Sequence, residues 1–110
     1  IYLLANKFYR TGSIGDTVAL RGQWRKKTSW RTPAGNPEEQ RLLDWKLDPA
    51  VSLGLIGEVG LHQLDVFHWF LGSYPIRVSG LGSIQMHQDG RELPDTIHCQ
   101  FEFPGGKVLQ

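Results

Sequence analysis

Glu58, His62, Asp65 and Trp69 recur at intervals of three and four residues in one short segment, and the first three can move protons. An imidazole titrates near neutral pH, and a carboxylate one helical turn away can orient the ring and stabilise its charged form. Oxidising an alcohol needs a group that takes the hydroxyl proton, and the reverse reaction needs the same group to return it. Projected on a helix at about 100° per residue, the four side chains share a stripe roughly 60° wide. Most other directions are apolar, with Val59, Val66 and Phe70 on one flank, Phe67 behind, and Leu61, Leu64 and Leu71 on the other. Such a helix is expected to be mostly buried, and its ionisable groups must then be paired or solvated in a cleft. The narrow stripe favours a cleft. A structural Glu–His–Asp network joining helix to sheet carries comparable weight on pattern alone.

Other residues that can meet a ligand are fewer. Trp30 and Arg31, with Trp45 further on, offer aromatic faces and a planar guanidinium that suit a polyhydroxyl ligand. Tryptophans packed under a loop are the plainer expectation for them. Gly54, Gly57 and Gly60 recur every third residue, which asks for close approach of something, either a cofactor ring (at Gly57) or substrate, or the sheet on which this helix packs tightly. Glu58 and His62 have metal-ligand spacing, but His68, His87 and His98 are scattered over other faces and elements. No metal site is expected.

These residues need a scaffold. Ile1 to Arg10 reads as the last turns of a helix stopped at Thr11-Gly12, and Ile14 to Trp24 alternates as a strand. A long polar loop follows from Arg25 to Asn36, and Pro37 opens a short helix with Asn36 as its cap. Glu58 to Leu71 reads as a helix closed by Gly72. Tyr74 to His87 and Asp95 to Phe103 read as strands around the loop Gln88 to Glu92. Pro104-Gly105-Gly106 then turns into a third strand, Lys107 to Gln110. The fold class is α+β, a partial open sheet.

Composition excludes several functions. The chain has 110 residues, 40% hydrophobic and 21% charged, with net charge +1. That balance argues against a nucleic-acid binder, and the single basic run Arg25-Lys26-Lys27 reads as solvated loop. With one cysteine, Cys99, no disulfide can form within the chain, and a cytoplasmic setting is expected, export of a parent protein staying open. No apolar stretch approaches the roughly 20 residues that cross a membrane. The chain starts at Ile1 without methionine, so a preceding segment is expected.

Around the polar stripe the sequence resembles a known family. Gly57-Glu58-Val59-Gly60-Leu61-His62-Gln63-Leu64-Asp65 is similar to the glycine-rich Asp-x-x-x-His-x-x-Asp signature of the glucose–fructose oxidoreductase, inositol dehydrogenase and rhizopine catabolism (Gfo/Idh/MocA) family. Gly12-Ser13-Ile14-Gly15-Asp16 resembles the junction opening that family's C-terminal domain. Trp69-Phe70-Leu71-Gly72 resembles the end of its active-site helix, and Asp89-Gly90-Arg91-Glu92 through Phe103-Pro104-Gly105-Gly106 resembles its following hairpin. The segments occur in the family's order along most of the chain.

The resemblance implies one partial C-terminal domain, with an open, mostly antiparallel sheet covered by helices on one face. It further implies a missing N-terminal Rossmann domain that binds NAD or NADP. His62 takes the acid–base role at a sugar or polyol carbon, Glu58 the first acidic position and Asp65 the last. Glu58 stands where the family has aspartate. The family's partner lysine, in Glu-Lys-Pro, is absent, and Gly80-Leu81-Gly82 is no dinucleotide fingerprint. The chain alone is expected to be inactive, with its parent a homo-oligomer assembled through the sheet. A non-catalytic assembly module of the same fold and an NAD-dependent glycoside hydrolase are the alternatives.

Overall fold

The structure, a computed structural model, describes residues 1–110. Its elements are α1 (Tyr2–Arg10), β1 (Ala19–Leu20), α2 (Pro37–Leu43), a 3-10 turn (Trp45–Leu47), a π turn (Ile56–Gly60), α3 (Leu61–Leu71), β2 (Arg77–Ser83), β3 (Thr96–Phe103) and β4 (Lys107–Leu109). The strands form one sheet in the order β1-β4-β3-β2. β3 and β4 are antiparallel, with Phe101 opposite Leu109 and Phe103 opposite Lys107. At the other end, β1 lies parallel to β4, Ala19 opposite Val108. Beside β2, Ile76 N–H donates to the Glu102 carbonyl and Asp95 N–H to the Ser83 carbonyl, an antiparallel progression. The fold is α+β with an open, mostly antiparallel sheet.

The chain divides into two compact units. One comprises Ile1–Gly22, His62–Gly80 and Cys99–Gln110. Its core is Phe103, 1% exposed, with Leu109, 3% exposed. α1 is tied to the end of α3 because Asn6 Nδ2 and Arg10 Nη2 both donate to the Trp69 carbonyl, at 2.8 and 3.0 Å. The Tyr9 ring also tilts against Phe70, centroids 5.4 Å apart. α3 stops at Gly72, whose φ of +68° suits glycine and whose N–H returns to the His68 carbonyl.

The other unit comprises Gln23–Leu61 and Leu81–His98, with Leu47 buried in it. α2 starts where Asn36 Oδ1 accepts from Glu39 N–H at 2.9 Å. Pro37 supplies a preset φ at the first helical position. Glu38 and Glu39 complement the positive helix end. Between β2 and β3, the Asp95 carboxylate accepts N–H bonds from Gln85, Met86 and His87. Burial works against its charge, but those bonds and one from the Thr96 hydroxyl outweigh it and lower its pKa to about 2.

Three sequence expectations change. The strand over Ile14 to Trp24 shrinks to Ala19–Leu20, because only those residues find a ladder partner on β4, extended by the bonds of Gly22 and Leu20 with Gln110. Tyr74 to His87 likewise narrows to Arg77–Ser83. The helix expected from Glu58 becomes α-helical only at Leu61, after one wide turn over Ile56–Gly60. The glycines explain that turn. A Cβ on Gly57 would lie 2.7 Å from Leu53 Cβ, and one on Gly60 would lie 2.7 Å from Ile56 Cδ1. Close packing within the segment is thus enough to call for glycine at Gly57 and Gly60, while Gly54 has a φ of +61°.

Candidate functional site

In the second unit, a polar lattice fixes the loop that carries Trp30 and Arg31. Asp44, only 8% exposed, is its anchor. Its carboxylate accepts from Arg31 Nη1 at 2.8 Å, from Thr32 N–H at 3.0 Å and from Gln40 Nε2 at 2.5 Å. Gln40 sits one turn before Asp44 and also donates to the Thr32 carbonyl, so the end of α2 grips the loop twice. Asp89 holds the loop from the other side, accepting from Ser29 Oγ and, through both oxygens, from Arg91. The bond from Arg91 holds Asp89 far below the usual carboxylate range; burial opposes this, and Ser29 and the charge of Arg31 add to it. Arg31 Nε is buried without a hydrogen bond, 3.6 Å from Asp89. Its guanidinium is thus engaged by two carboxylates, with its side chain about a third exposed.

Lys46 joins three of the residues singled out by sequence. Its ammonium lies 5.7 Å from the Trp30 ring centroid, 5.5 Å from that of Trp45, and 3.8 Å from Glu58 Oε2. Cations within about 6 Å of an indole face are attracted by its quadrupole. The Trp24 ring tilts against Trp30 at 6.2 Å, and Lys26 faces Trp30 at 5.9 Å. Trp30, Trp45 and Glu58 therefore share one aromatic and cationic patch, while Arg31 belongs to the lattice beneath its loop.

In the first unit, α3 carries His62 and Asp65. Both are exposed, and neither makes a hydrogen bond, ion pair or ring contact. The helix was expected to be mostly buried, yet none of its residues is; Val66, Phe67 and Phe70 are half-buried and Trp69 is exposed. The elements packed on it in this unit, chiefly α1 and the chain around Gly22, cover only part of its apolar surface. The nearby His68 is differently placed. Its Nδ1 lies 3.1 Å from the Ser73 carbonyl and its ring stacks on Tyr74 at 4.1 Å. Gly57 belongs to the π turn, where Leu53 occupies the space a side chain would need. No three histidine, cysteine, aspartate or glutamate side chains converge as a metal would require.

Sequence reasoning missed Lys46, Asp44, Asp89 and Arg91. Lys46 follows Trp45 directly, but only the three-residue 3-10 turn swings it back over that ring. Asp89 and Arg91 are two residues apart in a segment read simply as a hairpin loop, and that spacing was the available signal.

The family model described as the GFO/IDH/MocA C-terminal domain matches residues 2–110. No curated protein matches the sequence. Among solved structures, an oxidoreductase domain protein from Kribbella flavida is similar with a TM-score of 0.72 and 22% identity, over 98% of this chain and 29% of that one. An aldose-aldose oxidoreductase from Caulobacter crescentus, complexed with glycerol, has a TM-score of 0.61 and 22% identity, over 98% and 30%. A super-repressor mutant of Gal80p from Saccharomyces cerevisiae has a TM-score of 0.63 and 17% identity, again over 98% and 30%. The chain thus spans less than a third of the length of these solved relatives, and at such identities the likeness is one of fold.

Proposed function

Because the chain belongs to the GFO/IDH/MocA family as a C-terminal domain, we propose that it is the substrate-side half of an NAD- or NADP-dependent oxidoreductase acting on a sugar, polyol or derivative. The observation that carries this reading is the state of His62. Its imidazole is exposed on α3 with no bond to either ring nitrogen, so it is available to exchange a proton with a ligand. In this reading His62 takes the hydroxyl proton of the substrate and returns it in reduction. Asp65, exposed one turn further on, supports the charged imidazolium electrostatically. Glu58, held by Lys46, fills the first acidic position. Trp30 and Trp45 offer faces to the substrate ring, and Arg31 places Trp30 while presenting what remains of its guanidinium.

The residues of this chain do not fit a nicotinamide dinucleotide by themselves. The pyrophosphate needs a glycine turn between a strand and a helix whose backbone N–H groups are open, and Gly57 stands instead within the π turn Ile56–Gly60. A Rossmann domain outside this chain holds the cofactor in our reading, with Gly57 at most lining it through backbone. The parent is read as a cytoplasmic homo-oligomer assembled through the open sheet.

The test is turnover of the longer protein with His62→Asn. General acid–base removal should lower kcat about a hundredfold or more, with KM for the sugar little changed. Near-normal turnover in that variant removes His62 from the mechanism. A second reading, a non-catalytic binding module, is favoured by the likeness to Gal80p over 98% of the chain. It predicts no nicotinamide reduction by the unaltered longer protein with any aldose or polyol.

A further inference from the structure

The tryptophan patch of the second unit carries more positive charge than its one carboxylate balances. Lys46 approaches both Trp30 and Trp45, and Lys26 approaches Trp30. Against these two ammonium groups stands Glu58 alone, 25% exposed, at 3.8 Å from Lys46. That separation is an ion pair but exceeds hydrogen-bond length, so the donors of Lys46 are left for a better acceptor. Lys26 has no carboxylate partner, and neither do its chain neighbours Arg25 and Lys27. The other cation of this loop, Arg31, is already committed to Asp44 and Asp89. Apolar area is also on offer, since Trp24 is 46% and Trp45 44% exposed.

From this juxtaposition we infer that the patch binds a sugar bearing an anionic group, its ring against the exposed indoles and its anion on Lys46 and Lys26. The inference rests on the reading that these tryptophans face a carbohydrate, and it adds which carbohydrate. Stacking alone does not distinguish a neutral hexose from its acid, because both present the same C–H face. The two ammonium groups do distinguish them, at a strength limited by solvent exposure: the Lys46 side chain is 42% exposed. A single-stranded nucleic acid also pairs anions with stacked rings, but it needs a basic track along several phosphates. Here both ammonium groups lie within 6 Å of the Trp30 ring centroid, a compact arrangement rather than a track.

The experiment is a titration of the chain followed by tryptophan fluorescence, since three of its four tryptophans lie in the patch. The probes are D-glucuronate, D-glucose 6-phosphate, D-glucose and inorganic phosphate, at low ionic strength. Either charged sugar should bind about fivefold more tightly than glucose, and the better of the two identifies the anion. Lys46→Gln should reduce that preference by about half or more, Lys26→Gln by less, and the two together should abolish it. Added salt should erode the preference and spare glucose binding. Equal affinities for glucose and both charged sugars would overturn the inference, as would a preference that survives the double variant. Inorganic phosphate binding as tightly as the sugar phosphate would overturn it too, by showing a bare anion site. A thymidine oligonucleotide binding more tightly than any sugar would replace it with nucleic-acid binding. Binding is read without turnover, so failure here leaves the role of His62 standing, and failure of the His62 test leaves this preference standing.

Discussion

The loop around Arg31 and the outer face of α3 treat charge in opposite ways. Around Arg31 the carboxylates are answered: Asp44 by three donors, Asp89 by Arg91 and Ser29, Glu58 by Lys46. On α3, His62 and Asp65 are exposed and answered by nothing. The contrast separates two uses of polar residues. Buried carboxylates with several donors fix backbone, and removing one leaves orphaned partners at a high cost. Exposed groups without partners contribute little to folding and remain free to react.

The largest expected loss of stability comes from the answered side. Asp44→Ala leaves Thr32 N–H, Gln40 Nε2 and the Arg31 guanidinium without their shared acceptor and should cost about 3 kcal/mol in denaturant unfolding. A loss below about 1 kcal/mol would mean the loop is held otherwise. An intermediate effect is expected in acid. Asp95 has a folded-state pKa of about 2, depressed from roughly 3.9 in an unfolded chain. Its stabilisation is therefore complete above about pH 5 and drains away as pH falls from there through 2. Denaturant midpoints measured from pH 6 to 2 should decline, and Asp95→Asn should make that decline shallower. A decline of unchanged steepness would break the assignment. The smallest effect belongs to the unanswered side: His62→Asn and Asp65→Asn should each leave stability within about 0.5 kcal/mol. A larger change would show that α3 uses these groups structurally, and the comparison would fail.

Local chemistry was legible in the sequence wherever it acted over a few residues. Asn36-Pro37 announced the start of α2, Gly72 the end of α3, and Pro104-Gly105-Gly106 the turn into β4. Features that depend on distant partners were not. The alternation from Ile14 to Trp24 is a genuine strand pattern, but a strand is only as long as its neighbour allows, and β4 offers Val108 and Leu109. The wide turn at Ile56–Gly60 escaped because an even angular projection presumes an even helix. The stripe of Glu58 and His62 was drawn with that projection. His62 was singled out by its type, by its spacing from Glu58 and Asp65 and by family resemblance, and none of these could tell that it stands unbonded. Lys46 was invisible because cation–π geometry depends on a fold of the backbone that no spacing encodes.

The sheet ends differently on its two sides. β1 closes one margin with two residues, too few to template anything. β2 leaves the other margin with seven, all exposed, including Val78 and Leu81, and with neither proline nor lysine among them. Such a margin is open to strand pairing, with Arg77 at its start as its one charge. Handled by itself at high concentration, this polypeptide should gel or precipitate strand to strand before it loses its helices, and a lysine placed at Leu81 should be the simplest way to keep it in solution.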